Sequence, residues 1–193
     1  RTLAFRAGSD LREWLLNPWK FALQAAAFEV DGRLKWDPIE PSVTKDLELL
    51  AQLGPGQFKI TSRDRADALW LVELDGDRLP RKTVLWDRAA RKATPLFSHQ
   101  PGLDTQTFAE TRAVTVTARD GTLLPALLTL PPAARAGPGP LVLQVHGGPW
   151  AKDSWGFNPR TQFFANRGYA VLQVNFRGST GYGKRHLNAG NRE

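Results

Sequence analysis

The run Val145-His146-Gly147-Gly148-Pro149-Trp150 follows an apolar stretch, LVLQ, and no helix can continue through it. A histidine, two glycines and a proline at the mouth of a strand have four readings. They could make an oxyanion-binding turn, a phosphate cradle, a metal site, or a tight turn without chemistry. Glycines let backbone N–H groups turn outward and approach a ligand closely. Acyl transfer needs such donors where negative charge develops on a carbonyl oxygen. A phosphate cradle has its own candidate in Gly178–Lys184, which fits G-x-x-x-x-G-K, but Arg185 stands where Ser or Thr should hold magnesium. That segment reads better as a glycine-rich loop packed beside the neighbouring turn. His99, His146 and His186 share no ligand spacing, and cysteine is absent, so no metal site is expected. Ser179 lies in GSTG, which is not the G-x-S-x-G of a nucleophile elbow.

The elements that must position this turn are legible in outline. FALQAAAFEV and LKW read as strands, and KDLELLAQL has helical spacing at Leu47, Leu50 and Leu53 until Gly54-Pro55-Gly56 stops it. FKITS, ALWLVELDG, KTVLWD and KATPLF alternate as strands, the last two paired across Asp87–Arg91. Strands at this spacing suggest antiparallel propeller blades. After a polar connection over 98–112, AVTVTARDG and LLPALLTLP form a hairpin at Asp120-Gly121, and Pro125 makes the second an edge strand. PPAARAGPGP is a surface loop. LVLQV and YAVLQVNF then read as strands buried on both faces. Between them a helix starts at Asn158-Pro159, turns Phe163 and Phe164 to the sheet and ends at Gly168. Residues 141–176 are thus a parallel strand–helix–strand unit, and ligands of such sheets bind off the carboxyl ends of the strands. HGGPW and RGSTGYGK both lie there. With these elements in order, the oxyanion reading of HGGP is preferred. α/β-Hydrolases take one such amide from a loop of this kind.

Of the 193 residues 41% are hydrophobic, enough for a core. No apolar window is long enough to cross a membrane. The chain starts at Arg1 and has no methionine, which reads as a fragment or a processed piece. Residues 1–110 carry 16 Lys/Arg and 16 Asp/Glu, and residues 111–193 carry 10 and 3, so the whole net charge of +7 falls in the second part. Its cations are scattered between apolar strands, and no nucleic-acid partner is expected. Most tryptophans are core candidates, and packing is also the preferred role for Trp150 and Trp155.

ARDGTLLPALLTLP, LVLQVHGGPW, FFANRGYAVLQVNFRGSTGYGK and AGNRE, in this order, resemble the prolyl oligopeptidase family of serine peptidases, most closely its acylaminoacyl-peptidase branch. FKITSRDRADALWLVELDGDRLP resembles the last blades of that family's propeller. The resemblance implies a mixed fold: the end of a β-propeller over 1–110, then the first part of an α/β-hydrolase sheet over 111–193. It implies peptide substrates and no metal or organic cofactor. Gly148 would supply an oxyanion-hole amide, with His146, Gly147 and Pro149 shaping the turn. Asn175, Arg177 and Tyr182 would lie near the site, and Trp150, Arg177 and Tyr182 are candidate substrate contacts. An esterase or lipase of the same fold, or a non-catalytic binding remnant, are the alternatives. No triad member is assignable within 1–193, so this segment alone is expected not to be labelled by a serine-directed fluorophosphonate. Covalent labelling of purified 1–193 would overturn that expectation.

Overall fold

A computed structural model describes residues 2–54, 56–132, 137–148 and 150–191. Three sheets carry it. The first has the order β1 (Leu11–Leu16), β2 (Leu23–Val30), β3 (Arg33–Pro38), all antiparallel. Ala25, Ala26 and Ala27 are fully buried in β2, so neither face has room for larger side chains. β1 escaped the sequence reading because only Leu15 of it is buried and Trp14 is exposed, which leaves no alternation. The β2–β3 connection is the two-residue turn Asp31-Gly32, both with positive φ, as tight hairpins require.

Helix α1 spans Pro41–Leu50, with Pro41 in its first turn. It buries Val43, Asp46, Leu47 and Leu50, while Leu53 lies beyond its end and is exposed. Leu47 and Leu50 of the expected stripe are thus buried, and the helix starts and ends earlier than the spacing suggested. Pro41 fits the first helical position because its missing N–H has no partner there anyway. The second sheet is a four-stranded antiparallel meander, β4 (Gln57–Arg63), β5 (Leu69–Asp75), β6 (Lys82–Asp87) and β7 (Lys92–Ser98). Trp70 and Trp86 stand opposite each other across β5 and β6 and are buried with Val43, Leu47, Phe58, Val72 and Val84. The Trp86 indole N–H donates to Asp46 Oδ1 at 2.8 Å, and Arg88 Nε donates to Asp46 Oδ2 at 3.0 Å. Asp46 thus satisfies a buried indole and pairs with a cation that itself lies over the Trp70 ring.

The third sheet holds β8 (Thr111–Thr117), β9 (Leu123–Thr129), β10 (Leu141–Gln144) and β11 (Ala170–Val174) in the order β10-β11-β9-β8. β10 and β11 are parallel, and the other pairs are antiparallel. Three expectations need correction. β9 is interior rather than an edge strand. Pro125 is tolerated because it precedes the first β9–β11 partner pair, Ala126↔Val174, and its carbonyl accepts the Asn175 N–H at 2.8 Å. β10 is not buried on both faces. Among the described residues it pairs only with β11, and Leu141, Leu143 and the following Val145 are more than half exposed within this span. The crossover helix α2 (Pro159–Ala165) turns Thr161, Gln162 and Ala165 inward, not Phe163, which is exposed beneath Arg167. The expected ends of α2 hold: Asn158 Oδ1 accepts from Arg160 N and Thr161 N, and Gly168 follows the helix with φ +88°.

Gln162 explains the orientation of α2. Its amide is 3% exposed and donates to Asp77 O and Ala109 O at 2.9 Å each, while its oxygen accepts from Ala109 N at 2.8 Å. Asp77 in turn accepts from Thr111 N at 2.8 Å. One helix side chain therefore closes the backbone where the second sheet gives way to the third. Gln162→Ala leaves three buried backbone groups without partners and is expected to cost about 3 kcal/mol. Denaturant unfolding of the full-length gene product measures this; a loss below about 0.5 kcal/mol would show that water or relaxation replaces the amide.

Candidate active site

Parallel pairing puts the carboxyl ends of β10 and β11 on the same edge, so the segment from Val145 and the segment from Asn175 emerge side by side. The second braces the first at several points. Asn175 is fully buried; its Oδ1 accepts from Asp153 N at 2.8 Å, and its Nδ2 donates to Asp153 O at 3.0 Å and to the Tyr182 hydroxyl at 2.7 Å. Thr180 N donates to Ala151 O at 3.0 Å. The His146 ring stacks on Phe176, with centroids 4.4 Å apart and planes 18° apart. His146 Nδ1 lies 2.7 Å from Gly147 O, and Nε2 lies 3.0 Å from Ser179 Oγ.

Gly147 and Gly148 are exposed, and no intrachain acceptor for the Gly148 N–H is found among the described residues. A Cβ on Gly148 would stand 3.0 Å from Trp150 N, whereas one on Gly147 would meet nothing within 4 Å. Pro149 lies outside the described residues. Trp150 is 72% exposed, which corrects its packing role: the turn lifts it off the sheet. Trp155 is buried and donates its indole N–H to Thr111 O at 2.8 Å.

The amides of the β11 loop are spent internally. Gly178 N donates to His186 O, Ser179 N to Phe176 O and Gly181 N to Asp10 Oδ2, each at 3.0 Å. They cannot also cradle a phosphate, so the glycine-rich loop is a packing element. It runs into a helix the sequence did not announce, α3 (Gly183–Asn188). Behind that helix, a Cβ on Gly190 would stand 2.7 Å from Gly178 Cα and 2.8 Å from Arg177 O. Arg177 reaches away from the HGG turn to Asp120 Oδ2 at 2.7 Å and to Thr122 Oγ1 at 3.3 Å. Tyr182 lies beneath Lys152, which pairs with Glu29 of the first sheet; the two side chains are only 5% and 9% exposed. Burial, with the Glu29 carboxylate adding to it, holds the Tyr182 phenol well above its ordinary pKa. Burial lowers the Lys152 ammonium, and Glu29 works against that shift. His186 Nε2 contacts Phe176 O at 2.9 Å.

The prolyl oligopeptidase family model matches residues 155–193. Over its whole length the chain is 41% identical to dipeptidyl aminopeptidase BIII of Pseudoxanthomonas mexicana, covering 29% of that protein. The chain is similar to the prolyl oligopeptidase family. Over 77% of the chain, dipeptidyl peptidase family member 6 of Caenorhabditis elegans is 37% identical, with 23% of its own length covered. Among solved structures, a puromycin-hydrolysing peptidase of Mycobacterium tuberculosis superposes on 95% of the chain with a TM-score of 0.69 at 22% identity, over 29% of its length. Acylaminoacyl peptidase of Pyrococcus horikoshii superposes on 84% with a TM-score of 0.57 at 21% identity, over 25% of its length. The chain therefore spans less than a third of the curated relatives it matches.

A cleft of about 490 Å³ opens between the first two sheets and residues 154–158. Arg12, Lys59, Arg81, Glu29 and Asp75 give it a charged lining. Asp75 holds the floor: its carboxylate accepts from Gln57 Nε2 and Phe157 N at 3.4 Å each, and a Cβ on Gly156 would stand 2.4 Å from its Oδ2. Burial raises its pKa, with Arg81 at 3.9 Å opposing. The folded chain thus keeps a proton that the unfolded chain has released. The stabilising contribution is complete below the ordinary carboxylate pKa and is lost as pH rises through the raised folded value. Asp75→Asn keeps an acceptor oxygen and is expected to be the more stable protein above that window, with a flatter pH dependence. Unfolding midpoints across acidic to neutral pH test this, and an unchanged slope would contradict it.

Proposed function

We propose that residues 1–193 are part of a serine peptidase acting on short peptides. Residues 1–110 would be the closing part of a β-propeller, and residues 111–193 the opening part of an α/β-hydrolase sheet. The antiparallel meander followed by a sheet with one helix-linked parallel pair supports this division, as does the likeness in fold to solved peptidases. The relatives at 41% and 37% identity are named a dipeptidyl aminopeptidase and a dipeptidyl peptidase family member, which favours release of dipeptides over the acylaminoacyl specificity that the motifs first suggested.

One observation carries the chemistry: Gly148 is exposed and its N–H has no intrachain acceptor among the described residues, at the carboxyl end of a parallel strand. When a nucleophile adds to a substrate carbonyl, the oxygen gains negative charge and needs donors already in place. Gly148 N–H is such a donor. Residues 1–193 contain no G-x-S-x-G, so the serine and its base belong to other residues of the peptidase. This chain's part is to hold the oxyanion amide and to wall the cleft by which the peptide approaches.

Gly148→Pro in the full-length gene product removes the donor and is expected to lower kcat on a dipeptidyl anilide by about 10²–10³-fold. Gly148→Ala, which keeps the N–H but crowds Trp150 N, is expected to lose less. Equal turnover by wild type and Gly148→Pro would exclude the oxyanion role, and turnover of esters alone would point to an esterase.

A further inference from the structure

We propose that Ser179 and His146 form a positioning relay that aims the Gly148 N–H. The inference rests on reading that amide as the oxyanion donor. It begins with a constraint of the peptide group: Gly147 C=O and Gly148 N–H belong to one planar trans unit and point in opposite directions. Whatever holds the carbonyl aims the amide.

His146 holds it. A carbonyl can only accept, so the 2.7 Å contact requires a proton on His146 Nδ1. In the neutral ring Nε2 is then an acceptor, and at 3.0 Å it takes the hydroxyl proton of Ser179. Ser179 is fully buried, and among the described residues its hydroxyl has no other partner. Its proton therefore selects the tautomer that His146 needs to bind Gly147. Phe176, stacked on the imidazole, removes the remaining freedom of tilt. Ser179 is itself fixed through its N–H to Phe176 O, and its neighbour Thr180 is fixed to Ala151 O on the far side of the HGG turn. The relay thus runs from the β11 loop, through an imidazole, to a peptide plane whose free side faces away from that loop. Ser179 and His146 touch no reacting atom in this scheme; both act through Gly148.

The first test needs no variant. Nitrogen-15 spectra of histidine-labelled full-length protein at neutral pH are expected to show His146 as the Nδ1–H tautomer. An Nε2–H tautomer would overturn the relay outright. In kinetics, Ser179→Ala is expected to lower kcat about 10–100-fold with KM changed less than about twofold, since a donor misplaced by about 1 Å costs on the order of 10². His146→Asn, which retains an amide donor toward Gly147 O, is expected to keep more kcat than His146→Ala. Unchanged kcat in Ser179→Ala, or a change confined to KM, would overturn the relay. If that result came with a collapsed Gly148→Pro, the oxyanion reading would stand and the relay alone would fall. Full activity in Gly148→Pro would remove both.

Discussion

The parallel register of β10 and β11 is the constraint on which the site depends. Because Gln144 stands beside Gln173, the two chains leave the sheet together, and two loops distant in sequence must share one edge. An antiparallel pairing would send them to opposite ends. The pairing in turn requires a crossover, supplied by α2, and α2 is held by the Gln162 amide. The HGG turn therefore depends on a polar side chain of the crossover helix. Apolar packing alone would leave the rotation of so short a helix poorly determined, whereas a bidentate amide admits one orientation.

Polar groups dominate the joining of the sheets elsewhere as well. Gln57 donates to Trp155 O, Trp155 donates to Thr111 O, Asp10 accepts from Gly181 N, and Lys152 is buried against Glu29. The first two sheets keep an apolar core of their own around Trp70 and Trp86. The third meets them largely through hydrogen bonds and ion pairs. A buried ion pair such as Lys152–Glu29 adds little net stability, but separating its partners leaves an unpaired buried charge. It therefore fixes the geometry of the joint more than its strength.

Much of this was legible in sequence, and the failures have physical causes. Local signals were reliable: Asn158-Pro159 opened α2, Gly168 followed it, and Asp120-Gly121 turned the β8–β9 hairpin. Burial was misjudged where periodicity is silent about neighbours. LVLQV reads as a strand covered on both faces, yet within residues 1–193 β10 has one strand neighbour and two exposed leucines. Phe163 was assigned inward for its hydrophobicity, while the inward face of α2 is taken by Thr161 and Gln162, whose hydrogen bonds outweigh a phenyl ring. His146 and Gly148 could be singled out because glycine and histidine at a strand end carry their own signal. Ser179 could not. It sits 33 residues from its partner, in a motif that resembles nothing catalytic, and only the fold brings its hydroxyl to an imidazole.

The contact of Gly190 with Gly178 and Arg177 has a consequence beyond packing. Two backbones touch there with no side chain between them, and Gly178 has a φ of +95° besides. Neither position can be improved by a better-fitting residue, because the fit is the absence of one. A side chain at either position would push the segment after α3 off the loop that carries Ser179, so the two glycines set how closely those segments can approach.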